Sequence, residues 1–320
     1  MIRNDGFTRA SPVRLHLRTD SLNRSFAIIG DKSFATMSAT SSVPGRIRLL
    51  ALDADGTLVG PDGVVRPAVK EAVAMAQDRG LLVVVCTGRR YRTARPILEE
   101  LDLDGPVVVH NGVVVKDART GKTTEQHFLP DEFFAPVMEI MGDLGPPLVY
   151  VDRYFDGIDL YAEPADRCHE FQAEYLDSNP NVVHEVESVA ALPTGSVVMI
   201  SSMADSESLL TLKGRIEGQF GNRVQTNYIM NTNYRGHILE VTRAGVSKWT
   251  ALAKICEGLG IAPSEIAAIG DDTNDIEMIV NAGMGIAMGN AVDDVKRVAD
   301  YETESNARDG VARAIERLLS

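Results

Sequence analysis

Ile47-Arg48-Leu49-Leu50-Ala51-Leu52-Asp53-Ala54-Asp55-Gly56-Thr57-Leu58 runs a short apolar segment directly into two aspartates and a glycine. The apolar half has the length and composition of a buried strand, and its end delivers two carboxylates. Working outward, Pro67 to Arg79 predicts a helix with proline in its first turn and Gly80 as its stop. Leu81 to Cys86 is a continuous Val-rich run, as in a strand buried on both faces. A helix around Tyr91 to Leu101 and a strand at Val107-Val108-Val109 come next. Strands alternating with helices at this spacing predict βαβ units and a parallel sheet.

The alternation changes after about residue 112. Val113 to Val115 and Thr123 to Phe128 flank Asp117 to Gly121 and predict a hairpin. Between 130 and 236, strand-like runs at Leu148 to Val151, Ile158 to Tyr161 and Val197 to Ser201 are separated by helix-like stretches. These stretches are Asp131 to Asp143, Ala165 to Leu176 and Ser206 to Gln219. Such a mixture suggests an α+β unit. Regular alternation resumes with a strand at Ile238 to Val241, a helix from Lys248 to Glu257 and a strand at Ile266 to Ile269. A helix from Asn274 to Asn281, a strand at Gly285 to Ala287 and two more helices follow. The expected fold class is α/β: a core formed by 46–129 and 237–320, interrupted by an inserted α+β cap at 130–236.

The 320 residues suffice for this arrangement; 44% are hydrophobic and 24% charged, ordinary values for a globular protein. No apolar run reaches the ~18 residues needed to span a bilayer, so neither a transmembrane pump nor a membrane partner is expected. A formal charge of −13 argues against a nucleic-acid partner. It leaves an anionic substrate open, because a bound cation and a few placed Lys or Arg side chains reverse a pocket's sign locally. Cys86, Cys168 and Cys256 are widely spaced and odd in number, which suits a reducing compartment. A cytoplasmic monomer or homodimer is the expectation. Cys86, in its apolar run, reads as a small buried hydrophobe. The six histidines lack zinc-ligand spacing.

Residues 1–45 hold eleven Ser/Thr, six Lys/Arg and only three Asp, without periodicity, and are expected to be disordered. Two readings compete for them. They form an organellar targeting peptide, or they lie upstream of a start at Met37; the second is preferred.

In open parallel sheets, ligands bind at the carboxyl ends of strands. Asp53/Asp55, Thr87-Gly88-Arg89, the region before Lys248, and Asp271 to Asp275 all fall there. A carboxylate at a strand end can attack phosphorus, splitting one displacement into two easier ones. A magnesium ion would remove its repulsion from an anionic substrate. Asp55, two residues on, is placed to handle the leaving group's proton. Thr87 and the Gly88 and Arg89 amides offer donors to phosphoryl oxygens, and Arg89 and Arg90 add charge, at least one of them suited to hold the phosphate bidentately. Lys248 brings a cation to a helix start, where the dipole favours anions, and so calls for an anionic partner. Asp53, Asp271 and the Asp55 backbone carbonyl make a suitable oxygen set for magnesium. Asn274 is expected to orient Lys248 or Asp53.

Taken singly, each segment has a plainer reading. Asp55-Gly56-Thr57 is a turn, Lys248 a solvated helix residue, and Asp271 to Asp275 a helix N-cap. Four such segments in order, all at strand ends, tip the balance to chemistry.

Together these residues resemble the four motifs of the haloacid dehalogenase superfamily. Asp53-Ala54-Asp55-Gly56-Thr57-Leu58 resembles the first, Thr87 the second, Lys248 the third and Gly270-Asp271-Asp272-Thr273-Asn274-Asp275 the fourth. Thr87-Gly88-Arg89, Asn111-Gly112, Gly245-Val246-Ser247-Lys248, Ala287-Met288-Gly289-Asn290-Ala291 and Asp309-Gly310-Val311-Ala312 are similar to its Cof-type branch, subclass IIB. The resemblance implies a Rossmann-like core with a type C2 cap, Mg2+, and phosphatase activity on small phosphorylated metabolites, often sugar phosphates. It implies Asp53 as nucleophile, Asp55 as acid/base, Thr87 and Lys248 as phosphoryl-binding. It further implies that Gly88, Arg89, Asn111 and Asn274 contact substrate and that Asp53, Asp55, Asp271 and Asp275 surround the metal, Asp275 either as a ligand or from behind the ligands. His110, before Asn111, departs from the small residue usual there; at a strand end it could touch substrate, but a packed or solvated ring is the preferred reading. A phosphomutase, or less readily a non-catalytic sensor of a phosphorylated ligand, is the alternative. Tyr150, Tyr154, Tyr161, Asp152 and Asp156 are the cap candidates for reading the leaving group.

Overall fold

The computed structural model describes residues 46–180, 182–230 and 235–320; the expectations for residues 1–45 lie outside them. The first stretch holds β1 (Leu49–Leu52), α1 (Pro67–Asp78), β2 (Leu82–Val85), α2 (Tyr91–Glu100) and β3 (Pro106–Val109), then β4 (Val114–Asp117) and β5 (Thr123–Gln126). The insertion holds α3 (Asp131–Met141), β6 (Leu148–Arg153), β7 (Ile158–Ala162), α4 (Glu170–Ser178) and β8 (Val183–Glu185). It continues with β9 (Met199–Ala204), α5 (Ser206–Phe220), β10 (Val224–Met230) and β11 (His237–Arg243). After it come α6 (Lys248–Leu259), β12 (Ile266–Gly270), α7 (Ile276–Asn281), β13 (Met284–Ala287), α8 (Asp293–Val298), β14 (Tyr301–Glu302) and α9 (Gly310–Leu319).

Every residue of β1 is fully buried, at about 1.5–3 kcal/mol per leucine side chain, which places the strand inside a sheet. The order is β14-β13-β12-β1-β2, with all neighbours parallel. β12 and β2 flank β1 in register, Leu52 opposite Ile269 and Val85. The chain following each of these three strands therefore emerges at one edge. β3 runs past the end of β2, where the Thr87 N–H donates to Val108 O at 2.9 Å. It then turns back through the hairpin formed with β4 and β5.

The inserted cap is built on a second sheet, order β10-β11-β9-β6-β7-β8, antiparallel except between β7 and β8. Alternation divides its faces. Val149, Ile200, Leu239 and Val241 pack with Phe133, Val137, Leu212 and Ile216 of α3 and α5. Leu148, Tyr150, Met199 and Met203 join the cluster that continues into the first sheet.

One strand differs from expectation. Residues 237–243 pair with β10 and β9, so they belong to the cap sheet and not to the resumed core alternation. The apolar pattern at Ile238 to Val241 encodes a half-buried strand, but nothing local encodes its partner. By its pairing, the insertion extends to Arg243 rather than 236. The helix expected over 165–176 is also interrupted: a single turn at Ala165–Arg167 precedes α4, whose start His169 caps by accepting from the Phe171 N–H at 3.2 Å.

Core and cap are joined by buried charge. Lys116 of β4 ion-pairs with Asp152 of the cap at 2.8 Å, their side chains 1% and 3% exposed. Arg92 of α2 holds Asp159 of β7 through two 3.0 Å hydrogen bonds. Burial raises the Asp152 pKa above the usual carboxylate value, with Lys116 opposing it. Removing one member of such a pair leaves the other charge buried and uncompensated. Lys116→Met is expected to destabilise the protein by about 3 kcal/mol, read by calorimetric unfolding. Adding Asp152→Asn should recover part of that loss; a single variant as stable as wild type would count against the pair's role.

Candidate active site

Asp53 follows β1 and is 4% exposed, with its N–H on Ile269 O at 3.0 Å. Lys248 opens α6 and is 1% exposed. Ser247 starts that helix with a capping box shared with Thr250, which fixes where the lysine sits. Its Nζ donates to Asp53 Oδ1 at 2.6 Å and to Asp275 Oδ1 at 2.7 Å. Asp275 is completely buried, and its Oδ2 accepts from the Asp271 and Asp272 amides at 3.0 and 3.2 Å. Both Asp275 oxygens are thus occupied. Asp53 Oδ2, by contrast, accepts no hydrogen bond among the described residues.

Carboxylate oxygens of Asp53, Asp271 and Asp275 lie within 4.8 Å of one another. Burial pushes the Asp53 pKa up to about 7 against the pull of Lys248. Burial, then the neighbouring Asp53 and Asp275, pushes Asp271 up to about 9. Burial works against the charge on Lys248, but Asp275 and Asp53 together outweigh it and hold its pKa above the ordinary lysine value. One ammonium among three crowded carboxylates leaves a negative excess, with oxygen donors of the kind that suit a hard divalent cation. The residues present therefore fit a metal ion. Asp55 lies outside this carboxylate group, and its side chain is engaged elsewhere.

Arg89 grips Asp55 through Nε–Oδ2 at 2.7 Å and Nη2–Oδ1 at 2.5 Å, so two residues expected to face substrate face each other. Such a fork fixes a carboxylate in orientation as well as charge. Thr87 is 1% exposed and its Oγ1 accepts from the Arg89 N–H at 3.0 Å. Gly88 passes tightly by Asn111: a β-carbon there would stand 3.1 Å from its Oδ1. Asn274 donates to Asn111 Oδ1 at 2.9 Å instead of orienting Lys248 or Asp53. Asn111 in turn donates to Glu240 Oε2 at 2.7 Å. Gly56, at φ +81°, is the turn that admits Asp271: a β-carbon there would overlap its Oδ2 at 2.0 Å. Thr57 Oγ1 donates to Asp271 Oδ1 at 3.0 Å, and Asn290 donates to Gly56 O at 2.8 Å.

Asp53, Asp55, Gly56, Gly88, Arg89, Asp271 and Asn274 line one side of a cavity of about 620 Å³; the cap sheet lines the other with Tyr150, Met199, Ser201, Met203 and Glu240. Of the five cap candidates only Tyr150 lines it. Asp152 is held by Lys116, Tyr154 lies edge-on to Tyr91, Tyr161 to His184, and Asp156 pairs with Arg153. His110 is buried against Tyr150 with ring centroids 5.7 Å apart. Burial, helped by Arg90, pushes its pKa down to about 3 and keeps it neutral. Glu240 and Ser201 were not anticipated; Arg90, expected beside Arg89 to bring charge to the phosphate, lies in the cavity wall. A glutamate within Ile238-Leu239-Glu240-Val241 was the available signal.

The sequence matches the family of haloacid dehalogenase-like hydrolases over residues 50–315, and the chain belongs to that family. Within it, this is a subfamily IIB, Cof-type enzyme, a phosphoric monoester hydrolase. A 5-amino-6-(5-phospho-D-ribitylamino)uracil phosphatase of Bacillus subtilis is 31% identical over 269 residues, covering 84% of this chain and 94% of that protein. A pyridoxal phosphate phosphatase of Escherichia coli is 27% identical, covering 84% and 97%. A haloacid dehalogenase-like hydrolase of Bacteroides thetaiotaomicron superposes with a TM-score of 0.71 at 26% identity, covering 85% of this chain and all of that one.

Proposed function

We propose that the protein is a magnesium-dependent phosphatase that hydrolyses phosphomonoesters of small metabolites, sugar phosphates foremost, through an aspartyl phosphate on Asp53. The observation that carries this reading is the buried Asp53 carboxylate at the sheet edge, one oxygen on Lys248 and the other free, within the three-carboxylate group. Asp53 Oδ2 attacks phosphorus as the bond to the leaving oxygen breaks, and Asp55 supplies the proton that oxygen needs. Water then attacks the acyl phosphate, Asp55 takes its proton, and phosphate leaves with the Asp53 carboxylate restored. Thr87, Lys248 and the loop amides hold the charge that builds on the phosphoryl oxygens. Arg89 keeps Asp55 in place and lines the same cavity as Asp53. Asp53 and Asp271 would hold Mg2+, with Asp275 behind them; the ion supplies charge neutralisation between carboxylate and phosphate. Gly88 and Asn274 border the substrate in the cavity wall, with Asn111 buried behind them and bonded to Asn274 and Glu240. The substrates named for the two bacterial relatives are both compact phosphomonoesters, consistent with a cavity of about 620 Å³.

Phosphate release from p-nitrophenyl phosphate and from a panel of sugar phosphates tests the reading. Activity is expected with Mg2+, loss to background with EDTA, and recovery on adding Mg2+ in excess. Activity indifferent to EDTA would overturn the metal assignment. Conversion of one hexose phosphate into its isomer without free phosphate would establish a phosphomutase instead.

A further inference from the structure

Arg90 stands next to Arg89, where the loop after β2 enters α2, and is 6% exposed in the cavity wall. A guanidinium carries five N–H donors and a charge it cannot shed, so burying it calls for acceptors and an anion. Its Nη2 donates to Asn179 Oδ1 at 3.2 Å, while Nη1 donates no hydrogen bond. Its ion-pair partner Asp159 lies 3.8 Å from Nη1, beyond hydrogen-bond reach, and both Asp159 oxygens are taken by Arg92. In the ion-pair group joining core and cap, Arg90, Lys116 and the part-exposed Arg92 are positive and Asp152 and Asp159 negative. Within this group positive charge exceeds negative by one, and Arg90, whose guanidinium also lies 6.0 Å from the Tyr175 ring centre, keeps Nη1 without an acceptor at the cavity wall.

Two further polar side chains share that wall. His110 and Ser201 are each 1% exposed, and neither His110 ring nitrogen nor Ser201 Oγ has a hydrogen-bond partner. Buried groups of this kind are nearly always satisfied in folded proteins. Three of them bordering one cavity mark a place where ligand atoms complete the bonding. The site is separate in composition from the carboxylate-rich floor that faces the phosphate.

We propose that Arg90 determines specificity by binding a second anionic group, a carboxylate or a phosphate, on the leaving half of the substrate, with Ser201 and His110 hydrogen-bonding beside it. This rests on the phosphatase reading above and adds to it the charge class of the leaving group. A neutral leaving group would leave Nη1 without a charged acceptor; an anionic one supplies it.

Paired substrates test it. Glucose 6-phosphate and 6-phosphogluconate differ by a carboxylate, and fructose 6-phosphate and fructose 1,6-bisphosphate by a phosphate. In the wild type, kcat/KM for the more anionic member of at least one pair is expected to exceed its partner by about tenfold or more. The pair that responds tells carboxylate from phosphate. In Arg90→Met that ratio should fall to near one, and Arg90→Lys should keep part of it. Arg90→Gln carries the same ratio test should the methionine variant not accumulate. Wild-type enzyme that hydrolyses p-nitrophenyl phosphate yet shows no preference in either pair overturns the specificity alone. So does a preference that survives Arg90→Met. No hydrolysis of p-nitrophenyl phosphate by the wild type overturns the phosphatase reading and the specificity with it.

Discussion

Asp53→Asn is expected to lower kcat by on the order of 10⁴-fold while the protein stays folded. The amide keeps the size and shape of the carboxylate but cannot attack phosphorus, so both halves of the reaction lose their starting point. Its carbonyl oxygen can still accept from Lys248, now 2.6 Å from Asp53 Oδ1. The crowding of three buried acids is relieved at the same time, since Asp271 and Asp275 both border Asp53. The variant should therefore melt at or above the wild-type temperature, separating loss of chemistry from loss of fold. Phosphate release under saturating p-nitrophenyl phosphate, with circular dichroism melting in parallel, reads both. Undiminished turnover would mean that the nucleophile lies elsewhere.

Lys248→Met should damage both activity and stability. The ammonium is the one cation bonded to both Asp53 and Asp275 among the described residues, and all three side chains are nearly or wholly buried. Removing the cation leaves their charges facing one another without compensation, at a cost of about 3–5 kcal/mol. The acids can take up protons to escape this, which places the loss toward the lower end. Activity is expected to fall by about 10³-fold, since the fixed positive charge beside the phosphoryl group goes too. A variant with wild-type melting temperature and wild-type turnover would remove Lys248 from the site altogether.

Much of the candidate site is legible in the sequence because each segment carries its chemistry in adjacent residues. Asp53, Thr87 and Asp271 each follow an apolar strand directly, and strands β1, β2 and β12 turn out to be neighbours. Adjacency in the sheet then converts separations of up to 218 residues into one edge. What could not be read is pairing. The pattern of β11 gives its two faces but not the sheet it joins. Four of the five cap candidates miss the cavity for a related reason: tyrosine and aspartate recommend themselves by type, yet Asp152, Tyr154, Tyr161 and Asp156 are engaged by Lys116, Tyr91, His184 and Arg153. Asp152 and Asp159 serve the joint between core and cap, a role that depends on Lys116 and Arg92 from distant segments. Arg89 and Asp55 were both legible as functional, but their mutual grip was not, because 34 residues separate them.

The end of β11 at Arg243 stands only four residues, Ala244 to Ser247, before Lys248. Four residues reach at most ~14 Å fully extended. The last strand of the cap and the ammonium beside Asp53 are therefore mechanically tethered, one end of a short axle carrying the roof and the other the charge. A designer grafting a different roof onto this enzyme would have freedom in the loops between its strands. The exit is different: a donor whose final strand stops farther away would drag the lysine out of register. Compatibility between scaffolds is thus set by where the insertion lets go of the chain more than by what it is made of.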